Sequence, residues 1–588
     1  MADRIRKVVV VGGVAGGMSF AARARRLSEE AQIVVLERDE YVSFANCGLP
    51  YHLAGEIPDR ASLLLHTPAS LAASLALDVR TGHEVLSVDT AARSVRVRRR
   101  ADGTEYDEAY DALVLSTGAT PLVPPIPGVD LPQVRVLRTV PDVDALRDLV
   151  EAGARRAVVA GAGFIGLEVA EALRHRGLEV AVVDLADQVL PPLDPEMAVA
   201  VERALVGAGV EVRTSTSVTA VEPDDGTAAG GATDGAADGG PRGAVRVRLS
   251  DGSVLPADLV LLSVGVRPET TLARTAGLVL GERGTVRVDE HLRTSDPHVY
   301  AVGDAVEVVD AVTGAPAAVP LAGPANRQGR AAANHLFGRR GGRTPVLGTA
   351  IVRVFDTVAA STGRSEKALR QAGIEHHVVH LHPGHHAGYY PGARALHLKL
   401  VYAPDGRVLG AQATGSEGVD KRIDVVATAI RAGMTVEDLA ELELAYAPPF
   451  GSAKDPVNMA GFMASNVLAG DLTLWRGRDL GALPADAVLL DARSAKEFAA
   501  GHLPGALNIP HTDLRARLAE VPAGVPVRVY CASGFRSYLA LRVLRQSGWD
   551  DVSSLSGGLA TFRLERPEVA LETATPTRPL VGSAPHPG

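Results

Sequence analysis

An α/β architecture with two Rossmann-like dinucleotide-binding units follows from one pattern that occurs twice: apolar strand, glycine-rich turn, helix, and a second strand ending in an acid. A length of 588 residues adds that further domains accompany them, because single cores rarely grow past a few hundred residues. Two cysteines, each alone in a reactive setting, supply the third observation, and they point to sulfur chemistry without a local disulfide.

The first copy starts with Lys7 to Val11 as a strand, continues through the turn Gly12-Gly13-Val14-Ala15-Gly16-Gly17 and a helix from Met18 to Leu27, and ends with Ile33 to Leu36 running into Glu37. Such a turn lets the backbone approach a pyrophosphate at a helix N-terminus, while the acid takes a ribose hydroxyl. Val14 stands where the second glycine usually permits that approach, which leaves Gly13 and Gly16 to compensate. The second copy is cleaner. Ala157 to Ala160 leads into Gly161-Ala162-Gly163-Phe164-Ile165-Gly166, a helix runs through Arg174, and Val180 to Val183 ends at Asp184. An acid there favours the free 2′-hydroxyl of NADH over the phosphate of NADPH.

A net charge of −9 argues against nucleic-acid binding, which needs a sustained basic surface. The low cysteine count excludes a disulfide scaffold. No signal-peptide pattern precedes Lys7 and no apolar run reaches the length of a membrane span, so a cytoplasmic, membrane-free location is expected.

Ala112-Leu113-Val114-Leu115-Ser116-Thr117-Gly118-Ala119-Thr120-Pro121 and Thr294-Ser295-Asp296-Pro297-His298-Val299-Tyr300-Ala301-Val302-Gly303-Asp304 complete a set of four motifs in order. Together they resemble the pyridine nucleotide-disulfide oxidoreductase family. The resemblance implies FAD binding by Gly12, Gly13, Val14, Ala15, Gly16, Gly17, Glu37, Arg38, Thr117, Gly118, Gly303, Asp304 and Ala322, and NADH binding by Gly161, Gly163, Phe164, Ile165, Gly166 and Asp184. Ser43-Phe44-Ala45-Asn46-Cys47-Gly48-Leu49-Pro50-Tyr51 is similar to the branch of coenzyme A-disulfide reductases, persulfide reductases and NADH oxidases. Members that resemble glutathione reductase carry a cysteine pair, and this chain lacks the second cysteine. The resemblance spans roughly residues 4 to 466 and includes Pro320-Leu321-Ala322-Gly323-Pro324-Ala325-Asn326-Arg327-Gln328.

For Cys47 the expected chemistry is nucleophilic attack by a thiolate whose pKa falls near positive charge, a helix N-terminus or an electron-poor flavin. For a coenzyme A substrate, Arg23 and Arg26 are expected to meet phosphates, Ser43, Phe44 and Asn46 to line the thiol end, and Arg60 and Lys454 to add contacts. The resemblance further implies a homodimer in which tyrosine hydroxyls from the partner reach the substrate sulfur; the candidates are Tyr446 together with Tyr389 or Tyr390.

Past Trp475 the chain resembles a single rhodanese domain, with Cys531-Ala532-Ser533-Gly534-Phe535-Arg536-Ser537 as an anion-nesting loop in which Cys531 and Arg536 are the catalytic candidates. Four residues separate Cys531 from Arg536, one fewer than a phosphatase loop needs. Asp491 and Arg493 read as a structural ion pair.

The domains are expected at 1–120 with 289–334 (FAD), 121–288 (NAD, with a disordered insertion at 224–243), 335–463 (an α+β dimerisation domain), 464–480 (linker) and 481–567 (α/β rhodanese), with a disordered tail at 568–588. His376, His377, His380, His382, His385 and His386 lack metal-site spacing and are expected on a substrate-facing loop or plain surface, so no metal is assigned. The function expected is NADH- and FAD-dependent reduction of coenzyme A persulfide, coenzyme A disulfide or polysulfide, coupled to a sulfurtransferase domain. Two alternatives stand beside it: an NADH oxidase working through a Cys47 sulfenic acid, and a redox-sensing sulfur carrier with little turnover.

Overall fold

Valine-rich runs flanked by glycine turns form the strands of two parallel sheets, because residues buried on both faces of a sheet read as continuous apolar segments. The computed structural model describes residues 5–224 and 243–573. It divides into two compact units, one running through Pro191 with Val201–Gly348 and Val352–Asp356, the other comprising Pro192–Ala200, Thr349–Ile351 and the chain from Thr357 onward.

In the first unit, one sheet orders its strands Val299–Ala301, Ala112–Leu115, Lys7–Val11, Gln32–Glu37 and Asp78–Thr81, all parallel. The other orders Glu211–Arg213, Glu179–Val183, Arg156–Ala160, Leu259–Leu262 and Val134–Arg135, again all parallel. Each glycine turn leaves the central strand of its sheet. Gly12 and Gly161 adopt φ of +102° and +106°, where a side chain would strike the carbonyl of Ser116 or Ser263. One turn later, a Cβ on Gly17 or Gly166 would lie 1.9 Å from the Gly12 or Gly161 oxygen, so only glycine lets helix and strand cross that closely. Helix Ala15–Arg25 also packs against Ala322–Leu336, and the second sheet shares its core with a separate antiparallel sheet of Val218–Pro223, Val245–Leu249 and Val254–Ala257. The inserted residues 225–242 lie outside the described residues.

The second unit holds the antiparallel strands Thr357–Gly363, Val408–Gly415, His397–Tyr402 and His377–Leu381, neighbours in that order, packed on helices Val419–Ala432 and Pro456–Leu468. It also holds a parallel sheet ordered Leu474–Trp475, Val552–Leu555, Val527–Tyr530, Val488–Asp491 and Leu507–Asn508. Two boundary expectations and one about exposure change. The linker assigned to 464–480 is largely built structure, since helix Pro456–Leu468 runs into it and Leu474–Trp475 pairs with Val552–Leu555. Of the tail from 568, Glu572 exchanges two backbone hydrogen bonds of 2.9 Å with His502, and 574–588 lie outside the described residues. The histidine stretch is not plain surface: His380, in the buried end of strand His377–Leu381, and His386 beyond it are both buried.

Candidate active site

Both acids that end the second strand of a glycine-turn unit are oriented by backbone. Gly13 N–H donates to Glu37 Oε2 at 2.7 Å and Asp39 N–H to Oε1 at 3.0 Å; Ala162 N–H donates to Asp184 Oδ2 at 2.5 Å and Ala186 N–H to Oδ1 at 2.7 Å. The remaining lone pairs suit ribose hydroxyls. Burial pushes the Glu37 carboxyl up from its ordinary range, against the two N–H bonds that favour its charge. Gly163 faces open space, which leaves room for a phosphate at the second turn, whereas Val14 occupies the matching place in the first.

Gly303 N–H donates to Gln328 Oε1 at 2.8 Å and presents Asp304, whose carboxyl is raised by burial and faces Arg138. Burial lowers the Arg138 guanidinium, and Asp304 and Glu37 counter it. Among the described residues, neither Asp304 nor Arg138 spends its side-chain charge on a hydrogen bond. Opposite charges left largely buried beside a glycine turn fit a dinucleotide with phosphate at one end and ribityl hydroxyls at the other, so the donor set suits FAD. Thr117 Oγ1 donates to the Glu269 carbonyl, Gly118 turns at φ +70° against Arg138, Arg38 stays at the surface by Asp39, and Ala322 opens the helix Ala322–Leu336.

Cys47 sits in the single turn Asn46–Gly48, directly before helix Leu49–Ala54, and is exposed. Desolvation by its surroundings, then the charges of Glu168 and Asp304, push its thiol up from the ordinary range. Ser43 holds φ of +49°, a left-handed conformation that costs roughly 1–3 kcal/mol in a non-glycine residue. It is pinned by Ser43 N–H to the Gly13 carbonyl at 2.8 Å, which ties the cysteine segment to the first glycine turn. Phe44 is buried and bridges to Leu64, and Asn46 Nδ2 donates to the Arg138 carbonyl at 3.1 Å.

Arg23 Nε donates to Asn334 Oδ1 at 2.7 Å. Slight desolvation and then neighbouring Arg330, Arg26 and Arg339 pull its guanidinium below the usual range, so several like charges share one patch, as an anion site requires. Arg60 is half-buried, bidentate on Asp144 and donating to Tyr41 Oη at 2.9 Å. Lys454 is exposed beside buried Asp455.

In the second unit, the hydroxyls of Tyr389 and Tyr446 lie 3.1 Å apart, both side chains exposed, while Tyr390 sets its edge on His386. The pair raises the Tyr389 phenol through that hydrogen bond, keeping its proton in place. In the rhodanese-like loop, Cys531 is buried; its Sγ accepts the Gly534 N–H at 3.1 Å and lies 3.4 Å from Ser537 Oγ. Arg536 is bidentate on Glu497 at 2.7 Å per bond, and Arg493 is bidentate on buried Asp491.

Two residues with a part in this site escaped sequence reading. Arg138 precedes a helix N-cap with no local motif, and Glu168 lies two residues beyond the second glycine turn. Glu168 Oε1 accepts from Tyr51 Oη at 3.3 Å, and burial pushes its carboxyl up to about 7. The Glu168 signal was the acid placed just past Gly166; the Arg138 contact is tertiary.

Residues 6–325 match the family described as pyridine nucleotide-disulphide oxidoreductase, 349–456 its dimerisation domain, and 478–565 the rhodanese-like domain. The coenzyme A disulfide reductase of Staphylococcus haemolyticus is 33% identical over 468 residues, covering 79% of this chain and 100% of that protein. The reduced Bacillus anthracis CoADR-RHD structure is 43% identical with a TM-score of 0.90, over 96% of this chain and 99% of that one. The NAD-dependent persulfide reductase of A. fulgidus is 39% identical with a TM-score of 0.86, over 94% and 99%. Two dinucleotide cradles, a lone cysteine beside the first and these matches place the chain in the pyridine nucleotide-disulphide oxidoreductase family, with a rhodanese-like domain at its C-terminal side.

Proposed function

We propose that the chain reduces coenzyme A persulfide, coenzyme A disulfide or polysulfide at Cys47, using NADH and FAD, with the rhodanese-like domain handling sulfane sulfur. The observation that carries this reading is the solitude of Cys47: the other cysteine, Cys531, is buried in its own loop, so Cys47 has no resolving thiol on its segment and its sulfur partner must arrive with the substrate. When bound, FAD would take a hydride from NADH and relay two electrons to sulfur. Cys47 holds the substrate sulfur in a mixed disulfide, the arginine patch around Arg23 anchors coenzyme A phosphates, and the Tyr389–Tyr446 pair of a partner subunit in a homodimer donates a proton to the departing thiolate. The exposed Phe450, Met459 and Phe462 near those tyrosines in sequence support the dimer. For a persulfide the balance is R–S–SH + NADH + H⁺ → R–SH + H₂S + NAD⁺.

The test follows NADH loss together with sulfide release for coenzyme A persulfide, coenzyme A disulfide and polysulfide. The reading expects stoichiometric sulfide from the persulfide, and in Cys47→Ser no reduction of any of the three while the flavin stays bound and reducible by NADH. NADH loss matched by oxygen uptake with no sulfide would identify an oxidase instead.

A further inference from the structure

Two arginines of the rhodanese-like domain, Arg536 and Arg493, are each paired with a carboxylate. Arg536, five residues past Cys531, gives both terminal nitrogens to Glu497, one to each carboxylate oxygen at 2.7 Å. Glu497 is held in turn by Ser494, whose Oγ donates to Oε2 at 2.7 Å in the capping box of helix Ala495–Ala500. Arg493 is neutralised by Asp491 and also donates to the Gly501 carbonyl at 2.7 Å. Beside the Arg536 charge that Glu497 shares, what stabilises charge at Cys531 is the Gly534 N–H and the N-terminus of helix Phe535–Gln546, worth about half a positive charge, with the Ser537 hydroxyl nearby but donating to the Gly534 carbonyl at 2.9 Å. That set suits one anionic sulfur. It does not suit a dianion. At the rim, the first residue of that helix, Phe535, is 68% exposed and offers an apolar surface.

We infer that Glu497 sets the donor class of this loop: by engaging Arg536 it excludes thiosulfate, a dianion that would release dianionic sulfite, and selects an organic persulfide whose carbon stem meets Phe535. The inference rests on the reading above that Cys531 carries sulfane sulfur. The Cys531 thiolate attacks the outer sulfur of R–S–SH; the S–S bond breaks, R–S⁻ leaves with the bonding pair, and the proton stays on the transferred sulfur, so that E–S⁻ + R–S–SH → E–S–SH + R–S⁻. With thiosulfate the same attack gives E–S–S⁻ + SO₃²⁻, and the second charge on the leaving group meets in Arg536 a guanidinium that Glu497 already neutralises. Arg536 is thus a positioning residue that braces the loop, and Glu497 decides whether its charge is available.

The experiment uses full-length, FAD-loaded Cys47→Ser, in which Cys531 is the remaining thiol, and measures sulfur loaded on Cys531 as thiocyanate after cyanide treatment. Coenzyme A persulfide should load at least tenfold more efficiently than thiosulfate. Adding Glu497→Gln, which keeps an oxygen for the Ser494 cap, should raise thiosulfate loading about tenfold and leave persulfide loading within about twofold; Glu497→Ala is a second variant with the same expected sign. The donor ratio is the readout, because a merely structural role would move both donors together. Equal use of both donors, or a ratio unchanged in both Glu497 variants, overturns the inference while leaving Cys531 as a sulfur carrier. Loading from neither donor, or loading that survives Cys531→Ser, overturns the carrier reading and the inference with it.

Discussion

Burial and then the charge of Glu168 hold the Cys47 thiol toward its protonated form, and burial holds the Glu168 carboxyl toward its own. A carboxyl titrating at about 7 next to a thiol that must ionise is placed to hold a proton at neutral pH and release it as pH rises. Turnover that depends on this proton should fall as pH climbs through the neutral range, and Glu168→Gln should remove that limb from the kcat profile. A limb unchanged in the variant would assign it to another group. Asp184 supports a second expectation. Its two backbone N–H bonds fix a carboxylate where a 2′-phosphate would sit, so NADH should exceed NADPH in kcat/KM by tenfold or more, a difference of about 1.4 kcal/mol or more. Asp184→Ala should narrow that ratio, as steady-state kinetics with both cofactors will measure.

Helix Phe164–His175 and the loops bearing the tyrosines bring the same logic to the scale of elements. The helix reaches its strand only because Gly166 has no side chain, and an alanine there would push a methyl group into the Gly161 carbonyl. Gly166→Ala should therefore impair NADH-driven flavin reduction while sulfur loading on Cys531 persists, since that loop belongs to the other unit. Flavin bleaching by NADH against dithionite separates these effects. In the tyrosine loops, the hydroxyl pair is the proposed proton donor. Tyr446→Phe should lower turnover on the order of 10²-fold, the lower range for a lost general acid, with KM for NADH unchanged. A variant as fast as the parent would reduce the pair to a surface contact.

At the scale of the whole second unit, the antiparallel and rhodanese-like sheets share a buried ionic cluster. Fully buried Lys399 reaches Asp194 at 2.8 Å, Glu196 at 2.5 Å and Glu366 at 2.7 Å, and Arg476 joins Glu366 at 2.6 Å and Glu565 at 3.0 Å. Burial opposes the charge on Glu366 and Glu196, but Lys399 acts on both, with Arg476 on Glu366 and His380 on Glu196, and these hold both carboxyls below their ordinary range. Lys399→Met would leave several carboxylates buried without their ammonium, and should cost roughly 3–5 kcal/mol in denaturant unfolding of this unit. Burial also holds His380, His382 and His397 below the usual imidazole range, His382 at about 4. A group neutral in the fold but protonated when unfolded contributes in full above its unfolded value, 6.5, and less as pH falls toward 4. The carboxylates then add their own loss below about 4.5, the ordinary value. The melting temperature of this unit should therefore decline in two stages as pH is lowered from neutrality.

Local pattern alone determined the two glycine-turn units and their terminal acids, because turn, helix N-terminus and strand end lie within one short stretch and their chemistry depends on neighbours in sequence. Cys47 and the Cys531 loop were legible for the same reason, as were the candidate tyrosines. The tertiary structure decided what distance in sequence conceals. It paired Tyr389 with Tyr446, 57 positions away, and left Tyr390 against His386. It committed Arg536 to Glu497 and Arg60 to Asp144, and brought Arg138 to Asp304. It also folded the histidine stretch inward over a charged core that composition reads as surface. A side chain's charge and reactivity follow from what it touches, and long-range contacts are fixed by packing of whole sheets and helices, which no local motif encodes.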